Sequence, residues 1–489
     1  MISWVKGFFS RKPVVRLRGA DRRLVKLLRA RYDAAATNPD NIRHWAHADG
    51  LSANAAASSE VRRILRNRAR YEVSNNSYAR GIVLTLANDV VGTGPRLQML
   101  SADPAVNQAV ERSFADWAAA VDLAEKLRTM RMARAQDGEA FGILTSNPVL
   151  AHKVKLDLRL VEADQVTTPD LSLIATNAVD GIIFDEFGNP FEYHVLKGHP
   201  GDMVLGFGLD YDRLPTSAVL HYFRADRPGQ SRGVPEITPA LPLFAQLRRY
   251  TLAVIAAAES AADFAGILYT DAPANGEADP IEPMDTVELE RRMLVTMPGG
   301  WKMGQIHAEQ PATTYSDFKH EILNEIARCL NMPFNVAAGN SSGYNYASGR
   351  LDHQTYFKSI RVDQAHIGRA ILDRIFQAWV REAVLVDGQL PQSARLLSTD
   401  WSHQWFWDGQ EHVDPAKEAS AQETRLRNNT TTLAVEFARQ GRDWEAEVRQ
   451  RAKEIALLKQ LGITETQAVP ARQPVAVEVD DEEAVDAAA

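Results

Sequence analysis

The chain has 489 residues and a formal charge of 55 − 63 = −8 with histidine neutral. At roughly 100–200 residues per domain there is room for two to four domains, and 45% apolar with 24% charged residues excludes a disordered chain, a collagen-like fibre and a disulfide scaffold. A single cysteine, Cys329, rules out an intrachain disulfide. The most apolar long stretch, 251–270, is interrupted by Glu259 and Asp263, which argues against a membrane span. The first ten residues lack the apolar run of a signal peptide. A soluble, intracellular product is expected.

Residues 1–31 carry ten Lys/Arg against Asp21 alone. Arg11, Lys12, Arg16, Arg18, Arg22 and Arg23 mark an arm that either meets nucleic acid or an acidic protein, or is simply a solvated terminus. Residues 51–60 are Ala/Ser-rich and read as a linker. The helical period then runs over 61–91, with a break at Asn75-Asn76 and a stop at Gly92-Thr93-Gly94-Pro95. A second helical region covers 105–134, with Val106, Val110, Phe114 and Trp117 at spacings of three and four. From 141 to 223 the period falls to two, in runs 154–161, 181–184, 191–196 and 219–223 with a turn at Phe187-Gly188-Asn189-Pro190. That predicts a mixed domain with an antiparallel sheet.

Residues 239–265 read as a helix roughly 35–40 Å long that starts at prolines. The Pro/Gly-rich segment 266–313 contains a short helical piece, 287–293, and a hairpin pattern in which 294–297 and 301–306 flank Pro298-Gly299-Gly300. A helix over 315–331 ends at Pro333. Another runs over 348–385 on a stripe of Ile360, Ile367, Ile371, Ile375 and Trp379. Residues 415–462 read as two helices parted near Gln440-Gly441-Arg442, followed by a tail with Glu478, Asp480, Asp481, Glu482, Glu483 and Asp486. No fixed-period repeat emerges.

Chemical motifs are mostly missing. There is no P-loop, and His320-Glu321 is not followed by the second histidine of a zinc helix. With one cysteine and no His/carboxylate cluster, no metal or cofactor is expected. Cys329 falls on an apolar helix face and reads as a small hydrophobe. The tryptophans of Trp401-Ser402-His403-Gln404-Trp405-Phe406-Trp407 read as core or subunit interface before they read as a base-stacking platform. Gly339-Asn340-Ser341-Ser342-Gly343 matches G-x-S-x-G, but a nucleophilic serine there needs a strand before it, and only 336–338 could supply one. More specific is the span Asn331 to Gly349, which has no charged residue and offers Asn335, Asn340, Ser341, Ser342, Tyr344, Asn345, Tyr346 and Ser348. It is either a plain helix–helix connector or a surface that touches a polyanion without gripping it.

Taken with their order, the segments from about 31 to 385 resemble the portal proteins of lambda-like tailed bacteriophages. The resemblance rests on Val219-Leu220-His221-Tyr222-Phe223-Arg224, on Arg227-Pro228-Gly229-Gln230-Ser231-Arg232-Gly233-Val234-Pro235, on Asn331-Met332-Pro333 and on Asn345-Tyr346-Ala347-Ser348-Gly349-Arg350. Arg31-Tyr32-Asp33-Ala34-Ala35, His44-Trp45 and Ser52-Ala53-Asn54 also fit, while Asn340 departs from an acidic residue common in relatives and the last 90 residues match loosely. The resemblance implies an α+β portal fold: a basic arm and linker (1–60), a mixed α/β wing (61–235), a stem helix (236–265), a β-containing clip (266–313), a second stem helix (314–332), a tunnel loop (333–350), a wing spine (351–400) and a helical crown with the acidic tail (401–489). It implies a dodecameric ring at a capsid vertex, assembled in the host cytoplasm, that passes double-stranded DNA. Its expected partners are the terminase large subunit, the head–tail connector, the major capsid protein and scaffold. Asn335, Asn340, Ser341, Ser342, Tyr344, Asn345 and Tyr346 would face DNA, Trp301 and Lys302 would face partners, and no residue would be catalytic. The rival expectations are a serine hydrolase using Ser341 and a DNA-binding protein acting through its basic arm.

Overall fold

The computed structural model describes residues 39, 42–168, 177–202, 210–263, 267–270, 301–304, 314–343, 345–395, 400–409 and 415–462. The basic arm, the acidic tail, Tyr344 and most of 266–313, including 287–293 and 294–297, lie outside them. The chain divides into two compact units, Met1–Ala56 and Ala57–Ala489. In the first, a turn is closed by Ala48 N–H donating to Trp45 O (3.1 Å), and a one-turn helix α1 (Ala53–Ala56) starts where Ser52 Oγ accepts from Ala55 N (3.2 Å). The expected linker therefore holds a helical turn at its unit boundary.

The second unit opens with α2 (Ser59–Asn75) and α3 (Ser77–Val91), divided at Asn76 as the Asn-Asn pair predicts. Asn76 leaves the helical region, donates its N–H to Glu72 O (2.8 Å), and accepts from Tyr78 N (3.0 Å) and Ala79 N (3.4 Å), so one residue caps both helices. Gly92, at φ +57°, ends α3. Strand β1 (Arg96–Met99) follows, then α4 (Pro104–Ala120), whose N-cap is Asp103, and α5 (Leu123–Asp137). The single helical region expected over 105–134 is thus two helices. Asp122 breaks it by taking the left-handed conformation (φ 52°), which a short polar side chain tolerates.

Two antiparallel sheets come next. Strands β2 (Glu139–Ser146), β3 (Leu156–Val161) and β8 (Val219–Phe223) form one in the order β3-β2-β8. Strands β4 (Ala178–Val179), β5 (Ile182–Phe184), β6 (Pro190–Leu196) and β7 (Tyr211–Pro215) form the other in sequence order, with the Asp185–Asn189 turn where Gly188 (φ +81°) was expected to bend the chain. A small core of Phe141, Ile143, Val166, Ile182, Tyr193, Val195 and Val219 joins them.

Helix α6 (Leu241–Asp263) buries Leu241, Phe244 and Leu247 at its start, while Leu252 and Ile255 farther along are exposed. Strand β9 (Ile267–Thr270) pairs with β10 (Trp301–Gly304), so the described partner of the 301 strand lies 30 residues before it (Trp301↔Thr270, Gly304↔Ile267). Helix α7 (Thr314–Arg328) returns along α6, with Tyr250 stacked on Tyr315 (5.6 Å) and edge-on to Phe318 (4.6 Å). Pro333 does not end the helical structure. It N-caps α8 (Phe334–Ala338), and 336–338 is helix where a strand was the only option for the hydrolase motif.

Helix α9 (Tyr346–Ile367) passes through a wide π turn, Gly368–Leu372, into α10 (Asp373–Ala383). The predicted stripe Ile360, Ile367, Ile371, Ile375 and Trp379 is buried throughout. Strand β11 (His403–Phe406) pairs antiparallel with β1 across some 300 residues of chain, Arg96↔Phe406 to Met99↔His403. Trp405, Phe376 and Trp379 then crowd Phe114 at 5.3–5.7 Å, and Trp401, Trp405 and Trp407 pack half-buried against the core. Asp373 Oδ1 accepts from Trp405 Nε1 (2.8 Å) and lies 3.2 Å from His403 Nε2. The C-terminal part is α11 (Pro415–Arg427), α12 (Leu433–Arg439) and α13 (Trp444–Gln460), three helices where two were expected. The additional break falls at Asn429 (φ 55°) and the Thr432 N-cap. Helices and sheets segregate in the manner of an α+β fold, and none of the described helices is long and apolar enough to cross a membrane.

Candidate functional site at an uncharged loop

Beyond α7 the chain reverses at Asn331 (φ 53°), and Met332 N–H donates back to Ala327 O (3.1 Å). Leu330 and Met332 are buried on either side, which fastens the reversal to the core. Gly339 (φ 64°) then ends α8. Asn340 donates its N–H to Asn335 O (3.0 Å) and accepts from Ser342 N–H at Oδ1 (2.9 Å). Gly349 N–H donates to Asn345 O (3.1 Å), so Asn345 stands at the entrance to α9. Asn340, Ser341, Ser342, Gly343 and Asn345 are all exposed.

The predicted loop residues therefore divide. Asn340, Ser341, Ser342 and Asn345 share one exposed loop. Asn335 does not: it is on α8, half-buried, with Nδ2 3.0 Å from His353 Nε2 on α9. Tyr346 is the first residue of α9, so α9 begins two residues earlier than expected. For Asn335 the reason is proline and glycine placement: Pro333 presets φ ahead of the helix start, and Gly339 supplies the left-handed stop. Trp301 and Lys302 are on β10, with Lys302 exposed. Ser341 follows a helix, so the strand-to-helix elbow that would present a nucleophile is absent. Cys329 Sγ donates to Glu236 O (3.0 Å), and burial pushes its thiol pKa up, the opposite of an activated nucleophile.

Beneath the loop is a half-open cavity of about 440 Å³ between Tyr78 of α3, Lys319 and His320 of α7, Phe334 and the loop's Asn340 and Ser342. Lys319 Nζ sits 5.0 Å from the Tyr78 ring centre and 5.7 Å from that of Tyr315, so its charge is held by aromatic faces and hydroxyls. The loop itself stays neutral. Its far support is firm: α9 is tied to α3 by Tyr356 Oη donating to Asp89 (2.7 Å) and Gln364 donating to Val90 O (3.1 Å).

Sequence reasoning missed a larger feature, two buried charge networks behind this frame. Glu139 and Arg232 are fully buried, with Arg232 Nε at 2.9 and 3.0 Å and Nη2 at 2.7 Å from the carboxylate. Arg232 also donates to the carbonyls of Val166 (3.0 Å), Ala163 (3.2 Å) and Asp180. Gly233 N–H (3.0 Å) and His221 Nε2 (3.0 Å) complete the shell of Glu139, and His221 lies flat between Phe141 and Phe223. Burial opposes the charge of Glu139, but Arg232 and the hydrogen bond from His221 overcome it and hold its pKa well below the ordinary range. Arg62, Arg66 and Arg70, four apart on one face of α2, reach Asp180, Asp164 (2.9 Å) and Asp137 (2.7 Å). On the other side of β8, Tyr222 Oη meets Asp363 (2.9 Å) and Arg134 (2.6 Å), while Arg131 and Arg134 each reach Glu236 at 2.9 Å. The HYFR and RPGQSRG segments are thus the joints that bolt α2, α5, both sheets and α9 together. The one signal that could have revealed them is arginine at spacing four on a stripe that also carries Ala69 and Val73.

Among the described residues, Glu162, Asp164 and His199 bring metal-ligand atoms within 4.8 Å of one another. Arg70 already bonds both carboxylates at 2.9 Å and supplies the positive charge a cation would bring.

The family model for phage portal proteins of the lambda family matches residues 39–364, about two thirds of the chain and the whole frame just described. The chain belongs to the lambda family of phage portal proteins. A probable portal protein of Halomonas phage phiHAP-1 is 25% identical over 448 residues, covering 86% of this chain and 85% of its own. The solved structures that are similar include the virion of a native gene transfer agent particle (TM-score 0.41, 14% identity, 74% of this chain and 88% of that one). Another is the neck of a native gene transfer agent particle computed with C12 symmetry (TM-score 0.40, 14% identity, 74% and 88%). The arginine, tyrosine and histidine joints of this portal-family chain all fall inside the matched span.

Proposed function

We propose that the chain is one protomer of a ring, of about twelve copies, that forms the portal channel at one vertex of a phage capsid, through which double-stranded DNA is packaged and later ejected. In this reading it is a conduit and not a catalyst. The two sheets with α2–α5 form the wing, α6 and α7 the stem, β9 and β10 part of the clip, α9 and α10 the wing spine, and α11–α13 the crown. The clip, with Trp301 and the exposed Lys302 on β10, meets the terminase large subunit and then the head–tail connector. The outer faces meet the major capsid protein and scaffold, the ring assembling in the host cytoplasm before it becomes part of the virion.

The observation that carries the reading is that residues 339–343 and Asn345 are exposed, in a stretch of sequence that is polar and without charge, in a chain of the portal family. DNA that must slide needs contacts whose strength does not grow with each phosphate, and a neutral polar surface has that property. Exposed Leu252 and Ile255 on α6 fit a helix that is finished by a neighbouring copy. The test replaces Asn340, Ser341 and Asn345 together with lysine. Rings of normal size by light scattering and negative-stain imaging, with a strongly reduced packaged-DNA yield that higher salt partly restores, are expected. Normal packaging by intact triple-lysine rings would overturn the loop's role.

A further inference from the structure

A second cavity, of about 420 Å³, opens between α5, α9 and the reversal at Asn331, and none of Asn340, Ser341, Ser342 and Asn345 lines it. Four arginines line it. Arg131 and Arg134 form its floor and are at least nine-tenths buried, and Arg224 and Arg369 are exposed at its rim. The carboxylates facing them are Glu236 and Asp363, both pulled down in pKa by Arg131 and Arg134 against the effect of burial, and so ionised. Arginine stays charged throughout, so the lining carries 4 − 2 = +2. His366 adds nothing to this, because burial lowers its pKa and keeps it neutral.

The positive excess sits at the rim. Among the described residues Arg369 makes a 3.4 Å bond to Ala365 O and no ion pair, and Arg224 shares exposed Asp226 (2.7 Å) and lies 3.5 Å from Glu236. On the floor, Arg134 Nε–H has no hydrogen-bond acceptor among the described residues. A buried guanidinium donor without an acceptor is costly in a lone protein and is satisfied by an oxyanion. We propose that this cavity is a binding site for a phosphate group, held by Arg224 and Arg369 at the rim and by Arg134 beneath. It is independent of the channel reading. Its place against Asn331 puts the ligand at the chain reversal between α7 and α8.

Isothermal titration calorimetry of the full chain with sodium phosphate, against sodium chloride at matched ionic strength, tests it. Saturable binding near one phosphate per chain is expected, with the R224Q/R369Q variant raising Kd at least tenfold. The R159Q/R381Q variant removes two exposed charges elsewhere and should bind as the parent does. Unchanged melting temperatures in both variants separate lost binding from lost folding. Heats that match chloride, or equal weakening in both variants, overturn the proposal. A short DNA duplex added as competitor identifies the source: displacement of phosphate means a backbone phosphate, and no displacement means a free anion, either of which upholds the site.

Discussion

Replacing Arg232 with methionine keeps the length of the side chain and removes its charge and every donor. Glu139 is then left fully buried with no charged partner nearer than Arg66 at 3.5 Å, and with His221 and the Gly233 N–H at 3.0 Å as its hydrogen-bond partners. Three carbonyls, of Val166, Ala163 and Asp180, lose their partner together. Breaking a buried ion pair from one side is worth about 3–5 kcal/mol, and the stranded carbonyls push the loss to the top of that range. The pH dependence should also reverse. In the parent, Glu139 has a lowered folded pKa, so its contribution is present above the ordinary carboxylate pKa and is lost only in strong acid. In the variant, burial dominates and raises that pKa, so the deficit should grow as pH rises from 5 to 8. Urea unfolding followed by tryptophan fluorescence at both pH values measures this, with the m-value checking that the transition keeps its shape. A loss below about 1 kcal/mol, or one that does not change with pH, would refute the reasoning.

Gly233→Ala should be as damaging as the loss of Arg232, because a Cβ there would lie 2.1 Å from Gly138 O, a backbone atom that cannot give way; soluble yield and melting temperature close to the parent's would count against it. Glu111→Gln should stabilise the chain at pH 8. Burial pushes Glu111 up to about 7, with Asp443 and Glu445 adding to it against the N–H of Met99 (2.8 Å). A raised carboxylate gives its full stability below the ordinary pKa and loses it as pH rises through about 7. Glutamine keeps the acceptor for Met99 and stays neutral. After allowance for solvent screening, we expect a gain of order 1 kcal/mol at pH 8 that disappears near pH 5, read from thermal melts; identical melts at pH 8 would refute it.

What the sequence reveals here is local. The division at Asn76 and the stop at Gly92 are caps made by neighbouring residues, and they are where the pattern puts them. The Asp122 break was hidden because aspartate has no obligation to be left-handed. Strand β2 escaped notice for the opposite reason: it is buried on both faces from Glu139 to Ile143, so it has no polar alternation to read. The β1–β11 pair joins segments some 300 residues apart, and no local rule could have matched them. At the candidate site, the missing charge was visible at once, whereas the placement of Asn335 on a helix came from Pro333 and Gly339 acting together. The buried arginines were least legible. Arg62, Arg66 and Arg70 look like a solvated basic face until Asp180, Asp164 and Asp137 arrive from other segments.

The π turn at Gly368–Leu372 bears on how this part of the chain can change over generations. Ile367, Ile371, Ile375 and Trp379 recur every four residues, and in a regular α-helix each such step overshoots a full turn by roughly 40°. Three steps would carry Trp379 well off the face of Ile367, yet all four are buried to within 1%. The wide turn, with about 4.4 residues per turn, takes back part of that drift. It works as a phase corrector in a rod that must serve two neighbours, the β8 side before it and the Phe114 cluster after it. Losing one residue from 368–372 would shorten the rod by only about 1.5 Å but rotate Phe376 and Trp379 by about 100°. Single-residue gaps should therefore be rarer there than in the loops on either side.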